Sequence, residues 1–180
     1  MIAGIGTDAR NNGTVDENGN FQLAGLSGRV FLLVSAAGRV IKSISLDGED
    51  VTDEPLELTG KQSVAGLFIR LTDKLTQISG KVGHSRGQPL RECTVIFQSA
   101  EAREPIIASR LLRTVRCDSK GSFQTRGMRR GQYVVTAVTS IEQGRRFEPE
   151  HQGELRRAGQ SFTIREGETL ALDLKLTSGL

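Results

Sequence analysis

The amino-acid sequence predicts an all-β fold of two tandem antiparallel β-sandwich units, and three observations carry that prediction. Short runs rich in β-branched and aromatic residues recur between clusters of Gly, Asp, Asn and Pro, which is typical of strands joined by turns. Only one segment has a helical pattern. A turn-and-strand motif from the first half of the chain returns in the second half, which indicates an internal repeat.

Eight runs have the composition of strands. They are Arg29–Ala36, Val40–Leu46, Val64–Thr72, Ile78–Val82, Thr94–Gln98, Leu111–Arg116, Gln132–Thr139 and Thr169–Thr177. The alternation is clearest in Leu170–Leu176, where every second residue is Leu and the residues between them include Asp173 and Lys175. This pattern predicts a half-buried strand with one wet face. Leu67–Leu71 repeats the scheme.

A helical segment is predicted just after residue 148. Pro149 stands near its first position, Glu150 suits the positive end of a helix dipole, and Arg156 and Arg157 suit the negative end. Gly159 can close the helix.

The internal repeat is the most informative feature. Asp16–Leu26 matches Asp118–Met128 at an offset of 102, and both contain Asp-x-x-Gly-x-Phe. We expect the Asp to cap a tight turn, the Gly to take a positive φ, and the Phe to begin an inward-facing strand. Leu67–Thr72 also matches Leu172–Thr177 at an offset of 105.

The two copies of the repeat differ in their N-terminal parts. About forty residues, Ile78–Cys117, precede Asp118, but only fifteen precede Asp16. We expect residues 1–15 not to replace the missing strands, so residues 1–75 form an incomplete unit and 76–180 a complete one. Either the chain is a fragment of a longer array or the first unit is completed by something else, because an open sheet edge would otherwise remain. The short Thr72–Gln77 connection suggests a semi-rigid rod.

Composition and charge exclude several classes of protein. The longest uncharged runs have eleven residues, whereas a membrane helix needs about 18. Residues 1–76 carry 7 Lys+Arg against 10 Asp+Glu, and residues 77–180 carry 17 against 11. The basic half has one Tyr and no Trp, so stacking platforms are scarce and nucleic acid is not an expected partner. The N-terminal residues lack the pattern of a signal peptide.

Cys93 and Cys117 are too few for a disulfide framework or a zinc site. They could form one bridge in an oxidising compartment, but we expect two buried free thiols.

Several short motifs resemble the carboxypeptidase regulatory-like domain. They are Ile78-Ser-Gly80-Lys-Val82, Gly87-x-Pro89-Leu90, Cys93-Thr-Val95-Ile-Phe97, Asp118-x-x-Gly121-x-Phe123 and Gly131-x-Tyr133-Val134-Val135. The resemblance covers residues 76–178, with 13–75 as the later part of a second copy. It implies a seven-stranded prealbumin-like sandwich, related in shape to transthyretin, starch-binding modules and collagen-binding B repeats. It implies no peptidase activity, because in true carboxypeptidases the zinc lies in a separate domain.

A hydrolase triad matches formally. Gly83-His-Ser85-Arg-Gly87 fits the nucleophile-elbow pattern, and Asp118 and His151 follow in the order of an α/β-hydrolase. The elbow needs a helix directly after the Ser, but Gln88-Pro89 leads toward another strand. We therefore expect a solvated turn at Ser85. Cys93 lies in a strand, which is the wrong place for an activated thiolate.

Two segments have residue types suited to a metal site, and the sequence favours neither as one. His151-Gln-Gly-Glu154 has the shape of a first zinc pair, but no His follows it in the chain, so a solvated helical turn is expected. The acidic stretch Asp47–Glu54 could gather oxygen ligands for Ca²⁺, but it departs from EF-hand spacing and suits a solvated loop. We predict no catalytic, cofactor-binding or metal-binding residues.

Collagen-binding B repeats often carry an isopeptide bond between a first-strand Lys and a last-strand Asn or Asp. The corresponding pair would be Lys81 and Asp173. Strand parity opposes the bond, because Ile78 and Val82 are expected to face inward and Lys81 outward.

The remaining candidate is a set of arginines that could dock an anionic partner or lipid surface. The set is Arg110, Arg113, Arg116, Arg126, Arg129 and Arg130. A spacing of three alternates strand faces, so we expect a dispersed, solvated set.

The sequence therefore predicts a non-catalytic structural or interaction module of a larger secreted or cell-envelope bacterial protein, whose partner is a protein or neighbouring domains of the same chain. A carbohydrate-binding accessory module is the alternative. That function needs exposed aromatic platforms, and Tyr133 stands at an inward position.

Overall fold

A computed structural model describes residues 1–5, 10–83, 92–102, 111–139 and 148–177. These residues separate into two compact units, Met1–Lys74 and Leu75–Leu180. The strands are β1 (Ile2–Ile5), β2 (Arg10–Gly13), β3 (Gly28–Val34), β4 (Val40–Leu46), β5 (Glu49–Asp50), β6 (Leu56–Leu58), β7 (Leu67–Thr72), β8 (Gln77–Gly83), β9 (Thr94–Ser99), β10 (Leu112–Arg116), β11 (Ser122–Arg126), β12 (Gly131–Val138), β13 (Gln160–Ile164) and β14 (Thr169–Lys175), with helix α1 at Pro149–Ala158. The predicted all-β class is confirmed.

The second unit is a sandwich of two sheets. One sheet has the order β10-β9-β12-β13 and is antiparallel throughout, and the other has the order β11-β8-β14. β8 pairs with β11 antiparallel but with β14 parallel, so it lies between them. The alternation of Leu and polar residues in β14 gives its two faces: Leu172 and Leu174 are buried, and Asp173 is exposed.

Apolar side chains from both sheets form the core between them. Phe97 lies at its centre and contacts the rings of Phe123 and Phe162, with centroids 6.1 and 6.0 Å away. Gly80 faces this core, where an added Cβ would meet the Leu172 carbonyl oxygen and the Phe123 ring. The close approach of β8 to β14 therefore requires Gly at this position.

The predicted helix is confirmed as α1, with Pro149 in its first turn and Arg156 and Arg157 in its last. It lies over residues of β9 and β12, where Leu155 packs with Ile96 and Val138 in a second apolar cluster. Buried polar contacts also join it to the sheet. The Thr136 hydroxyl donates a 2.7 Å hydrogen bond to the Leu155 carbonyl, and Gln98 Nε2 donates to the Gln152 carbonyl at 3.2 Å.

The first unit also contains two sheets, with the orders β2-β1-β3-β6 and β5-β4-β7. Leu32, Ile41 and Ile44 form the buried centre of its core, and Leu67, Ile69 and Leu71 pack against them half-buried. The predicted strand from Val64 begins only at Leu67.

Residues 1–15, which we expected not to replace the missing strands, contribute two strands to the first unit. β1 pairs with β3 on one edge and with β2 on the other, and Ile2 and Ala3 are buried. The Gly- and Asn-rich β2 lies at the end of its sheet. Its pairing uses backbone groups, so a weak strand composition does not prevent it.

The expectation of two free thiols is also wrong, because Cys93 and Cys117 form a disulfide. β9 and β10 pair in a register that ends at Thr94 and Arg116, so the two cysteines follow directly at the end of the ladder. The Cys117 amide donates to the Cys93 carbonyl at 2.8 Å, and the Cα atoms are 5.2 Å apart. That separation is usual for a disulfide.

Candidate functional site

The repeated Asp-x-x-Gly-x-Phe motif forms the same turn in both units. Asp16 Oδ1 accepts hydrogen bonds from the Asn18 and Asn20 amides at 2.9 and 2.7 Å. Asp118 Oδ1 accepts from the Lys120 and Ser122 amides at 2.8 Å each. The glycines, Gly19 and Gly121, have φ of 84° and 75°. The predicted capping role of Asp and the predicted positive φ of Gly are confirmed.

These amide donors stabilise the charged form of each carboxylate. Hydrogen bonds from the Asn20 backbone and side chain hold the pKa of Asp16 below its usual value. The Ser122 and Lys120 amides do the same for the pKa of Asp118, and the nearby charges of Lys120 and Lys81 add to the effect. Both groups are therefore turn caps that are ionised at neutral pH.

The formal hydrolase triad gains no support from the described residues. Asp118 caps its turn, and His151 lies in α1 with only 4% of its surface exposed. Ser85 lies outside the described residues, as do Gly87, Pro89 and Leu90.

The expectation of a solvated turn at His151 is wrong, because this residue of α1 is buried. His151 Nδ1 lies 3.5 Å from Glu154 Oε2, one helical turn along, and has no hydrogen bond in the part of the chain that the structure describes. No group of three or more His, Cys, Asp or Glu side chains that could hold a metal ion occurs among the described residues. His151 and Glu154 therefore form a pair within α1.

The acidic stretch Asp47–Glu54 contains the turn of the β4–β5 hairpin and the loop that follows β5. Asp47 and Gly48 both have positive φ, 51° and 89°, which suits a two-residue turn between β4 and β5. Asp50 Oδ1 accepts a hydrogen bond from the Thr52 amide at 2.9 Å and also contacts the Thr52 hydroxyl. The Thr52 hydroxyl oxygen accepts a hydrogen bond from the Ile44 amide at 2.9 Å. These contacts are those of a folded loop.

The candidate isopeptide pair faces solvent, as strand parity predicted. Lys81 and Asp173 are paired in register across β8 and β14, and both side chains are exposed.

One of the candidate arginines has a structural role that the sequence did not reveal. Arg113 Nη2 donates to the Arg126 carbonyl at 2.7 Å, and its Nε donates to Thr125 Oγ1 at 3.3 Å. Arg116, Arg126 and Arg130 are exposed, which agrees with a dispersed set, whereas Arg110 lies outside the described residues.

Tyr133 belongs to the core, as predicted. Its ring stacks on Phe162 with centroids 5.8 Å apart, and its hydroxyl donates to the Arg129 carbonyl at 3.0 Å. By contrast, Phe68 on β7 is 67% exposed. Phe68 is thus an apolar side chain exposed on the strand that ends its sheet.

The free edge of β7 is the most distinctive site in the first unit. β7 stands at the end of the order β5-β4-β7, so within the described residues it pairs with β4 alone. The Asp47 amide donates to the Gly66 carbonyl at 3.3 Å. Backbone groups alternate in direction along a strand. The N–H and C=O groups of Phe68 and Arg70 therefore point to β4, like the carbonyl of Gly66. Those of Leu67, Ile69 and Leu71 point to the free edge. We call these three residues, with their outward backbone groups, the β7 edge.

Only an indirect signal of this site is present in the sequence. The unequal front of the two copies predicted an open sheet edge, but it did not say which strand would carry it. A further signal is that the repeat match aligns Phe68 with the charged residue Asp173.

Comparisons with known proteins give only distant structural likenesses. No family model matches the chain, and none of the curated proteins matches it. The resemblance to the carboxypeptidase regulatory-like domain therefore stays a hypothesis. A proposed carbohydrate-binding protein from Pseudomonas aeruginosa is 12% identical, with 56% of this chain and 87% of that chain covered and a TM-score of 0.36.

Two pilins are similar at the same level. A minor pilin of Streptococcus agalactiae is 14% identical over 93% of this chain and 68% of its own, with a TM-score of 0.42. The major pilin subunit of Bacillus cereus is 10% identical over 93% of this chain and 77% of its own, with a TM-score of 0.40. At these identities and scores we draw no conclusion about this chain from them.

None of the helices formed by the described residues has the length and apolar character needed to cross a membrane.

Proposed function

We propose that this chain is a non-catalytic structural and interaction module of a larger secreted or cell-envelope protein. The observation that carries the proposal is the β7 edge, a row of outward backbone groups beside an exposed aromatic side chain. Such an edge is a template for pairing with another chain, and folded proteins usually cover or break it. Within the described residues β7 pairs with β4 alone, which favours a binding role over a purely inert spacer.

The remaining candidate groups support a non-catalytic role because they are engaged in the fold. Asp118 caps a turn, His151 is a buried residue of α1, and Cys93 is joined to Cys117. A cysteine held in a disulfide supplies no nucleophilic thiolate. These three described residues thus serve a turn, packing and a crosslink.

The disulfide supports export. Disulfides persist in oxidising compartments and are rare in the cytosol, where thiols are kept reduced. The Cys93–Cys117 bridge therefore suits a protein that works outside the cytoplasm.

Hydrolysis of a panel of ester and peptide substrates tests the non-catalytic part of the proposal. We expect the wild-type chain and a Ser85→Ala variant to give the same background rate. A rate that depends on Ser85 would overturn the proposal and restore the hydrolase hypothesis.

A glycan array tests the competing carbohydrate-binding hypothesis. Among the aromatic side chains of the described residues, Phe68 is the exposed one, so glycan stacking would depend on it. We expect no binding. A glycan signal that is lost in Phe68→Ala would show that the ligand is a carbohydrate and not a protein.

A further inference from the structure

We propose that the second unit resists tension along the chain, because β8 and β14, its first and last strands among the described residues, form a parallel pair that tension loads in shear. This inference rests on the proposed function, since tension reaches the unit only when it lies within a larger protein. We call the paired segments, Gln77–Gly83 and Thr169–Lys175, the β8–β14 clamp.

The strand directions determine how the β8–β14 clamp is loaded. Seven residues of each strand pair in parallel, from Gln77 opposite Thr169 to Gly83 opposite Lys175. Tension along the chain enters β8 at Gln77 and leaves β14 at Lys175. In a parallel pair these two residues lie at opposite ends, so tension pulls one strand lengthwise along the other.

Hydrogen bonds close both ends of the ladder between the two strands. The Gln77 amide donates to the Glu168 carbonyl at 2.9 Å, and the Leu176 amide donates to the Gly83 carbonyl at 3.0 Å. Because ladder hydrogen bonds run between the strands, a lengthwise pull strains all of them together. Opening from one end would instead break them one at a time, which needs less force.

The side chains of β8 oppose a slip to a neighbouring register. A shift by one residue would turn the buried Ile78 and Val82 outward and bring the exposed Lys81 into the core. A shift of β8 by two residues toward its N-terminus would bring Val82 to the place of Gly80, where a Cβ meets the Leu172 carbonyl oxygen. The strands therefore have no adjacent register to move into, and the ladder has to break as a whole.

Neighbouring strands hold both members of the clamp. β8 also pairs with β11 along its other edge. Just after β14, the Thr177 amide donates to the Ala137 carbonyl at 2.8 Å. Ala137 lies in β12, which belongs to the other sheet of the sandwich. The end of the clamp at which tension leaves β14 is therefore fastened to both sheets.

Optical tweezers test the proposal on the full chain with its disulfide intact. Azide-bearing residues in place of Lys74 and Lys175 attach DNA handles at opposite ends of the clamp, so that force shears it. The matched control carries the handles in place of Lys74 and Thr169, at the same end, so that force unzips it. All three side chains are exposed, and the two handle pairs enclose nearly the same length of chain.

The lifetime of the folded unit under constant force is the readout, because forced unfolding is governed by the unfolding rate. We expect the sheared unit to stay folded at least about tenfold longer than the unzipped unit at the same force. Both arms pull on the same folded unit, so its equilibrium stability does not produce a difference between them. Equal lifetimes in the two directions, or a shorter lifetime in shear, would overturn the proposal.

A pair of proline variants tests the ladder itself in the shearing arrangement. Gln77 and Thr169 are the first residues of their strands, where Pro is tolerated. Gln77→Pro removes the amide that donates to Glu168. Thr169→Pro removes no bond of the ladder, because Glu168 and Leu176 show that the even-numbered residues of β14 direct their backbone groups at β8.

The two proline variants should differ in lifetime under the same constant force. We expect Gln77→Pro to shorten the lifetime about fivefold, the effect of one lost hydrogen bond. Thr169→Pro should shorten it by less than about twofold, as for a surface substitution. Equal lifetimes of the two variants would reject the ladder between β8 and β14 as the contact that bears the load.

The outcome is separable from that of the proposed function. Equal lifetimes in shear and unzipping, with the expected Ser85→Ala and glycan results, would reject the β8–β14 clamp and leave a non-catalytic module. Glycan binding or Ser85-dependent hydrolysis would reject the proposed function, whatever the response of the second unit to force.

Discussion

The Arg113 side chain donates a 2.7 Å hydrogen bond to the carbonyl of Arg126. Arg113 lies in β10 and Arg126 in β11, which belong to different sheets of the second unit. The guanidinium thus joins the two layers of the sandwich at one side. A hydrogen bond from a charged donor contributes more to stability than a neutral one.

Removal of this side chain should destabilise the second unit. We expect Arg113→Ala to lower the free energy of unfolding by about 1–2 kcal/mol, the usual effect of a lost charge-assisted hydrogen bond at a partly exposed site. Arg116→Ala, in the same strand and exposed, is the matched control and should change it by less than about 0.5 kcal/mol. Urea unfolding measures both. Equal losses would show that the bridge between the sheets contributes nothing.

The Cys93–Cys117 disulfide should make a large contribution to stability. It closes a loop with a sequence separation of 24, and a loop of that size is worth about 3 kcal/mol. We expect the double variant Cys93→Ala with Cys117→Ala to unfold at a lower urea concentration than the wild type. Reductant should lower the midpoint of the wild type and leave that of the variant unchanged. A reductant effect on the variant would point to another cause.

The two glycines of the α1 segment should respond in opposite directions to alanine. At Gly159 a Cβ would meet Val134, Thr136 and the Val135 carbonyl of β12. At Gly153 the nearest atom is the flexible end of Arg157 at 3.5 Å. Gly159→Ala should therefore lower the free energy of unfolding by about 1–3 kcal/mol through overpacking. Gly153→Ala should raise it by about 0.5–1 kcal/mol, because Ala has the higher helix propensity. Thermal unfolding distinguishes the two, and a stabilising Gly159→Ala would contradict the close packing of α1 on β12.

Acid should weaken the repeated turns. The folded-state pKa of Asp118 is lower than that of the unfolded chain, because backbone amides stabilise its carboxylate. Its stabilisation is therefore fully present above the unfolded pKa of about 3.9 and is lost as the pH falls through the folded pKa. In Asp118→Asn the melting temperature should fall less between pH 5 and the acid limit than in the wild type. If the melting temperatures of the wild type and the variant depend on pH in the same way, the pKa of Asp118 is not lowered by folding.

The sequence predicted local structure better than contacts between distant segments. The Asp-x-x-Gly turns and the two faces of β14 follow from backbone preferences and side-chain period, so residues such as Asp118 and Leu172 were placed correctly. β1 and β2 were missed because short Gly-containing or Asn-rich segments have weak strand propensity, and only the pairing of β1 with β3 and of β2 with β1 makes them strands.

The same limit explains the errors at single residues. The disulfide depends on the register of β9 with β10, and the burial of His151 depends on the packing of α1 over its sheet. Neither relationship can be derived from local pattern.

Amide hydrogen exchange along β7 tests the central claim most directly. Within this one strand the amides of Phe68 and Arg70 should be protected by β4, and those of Leu67, Ile69 and Leu71 should exchange at least about tenfold faster at the free edge. The matched leucines of β14, which bond β8, should be protected and serve as the internal control. Alternating protection along β7 is the result we predict, and uniform protection of all five amides would contradict the open edge on which the account depends.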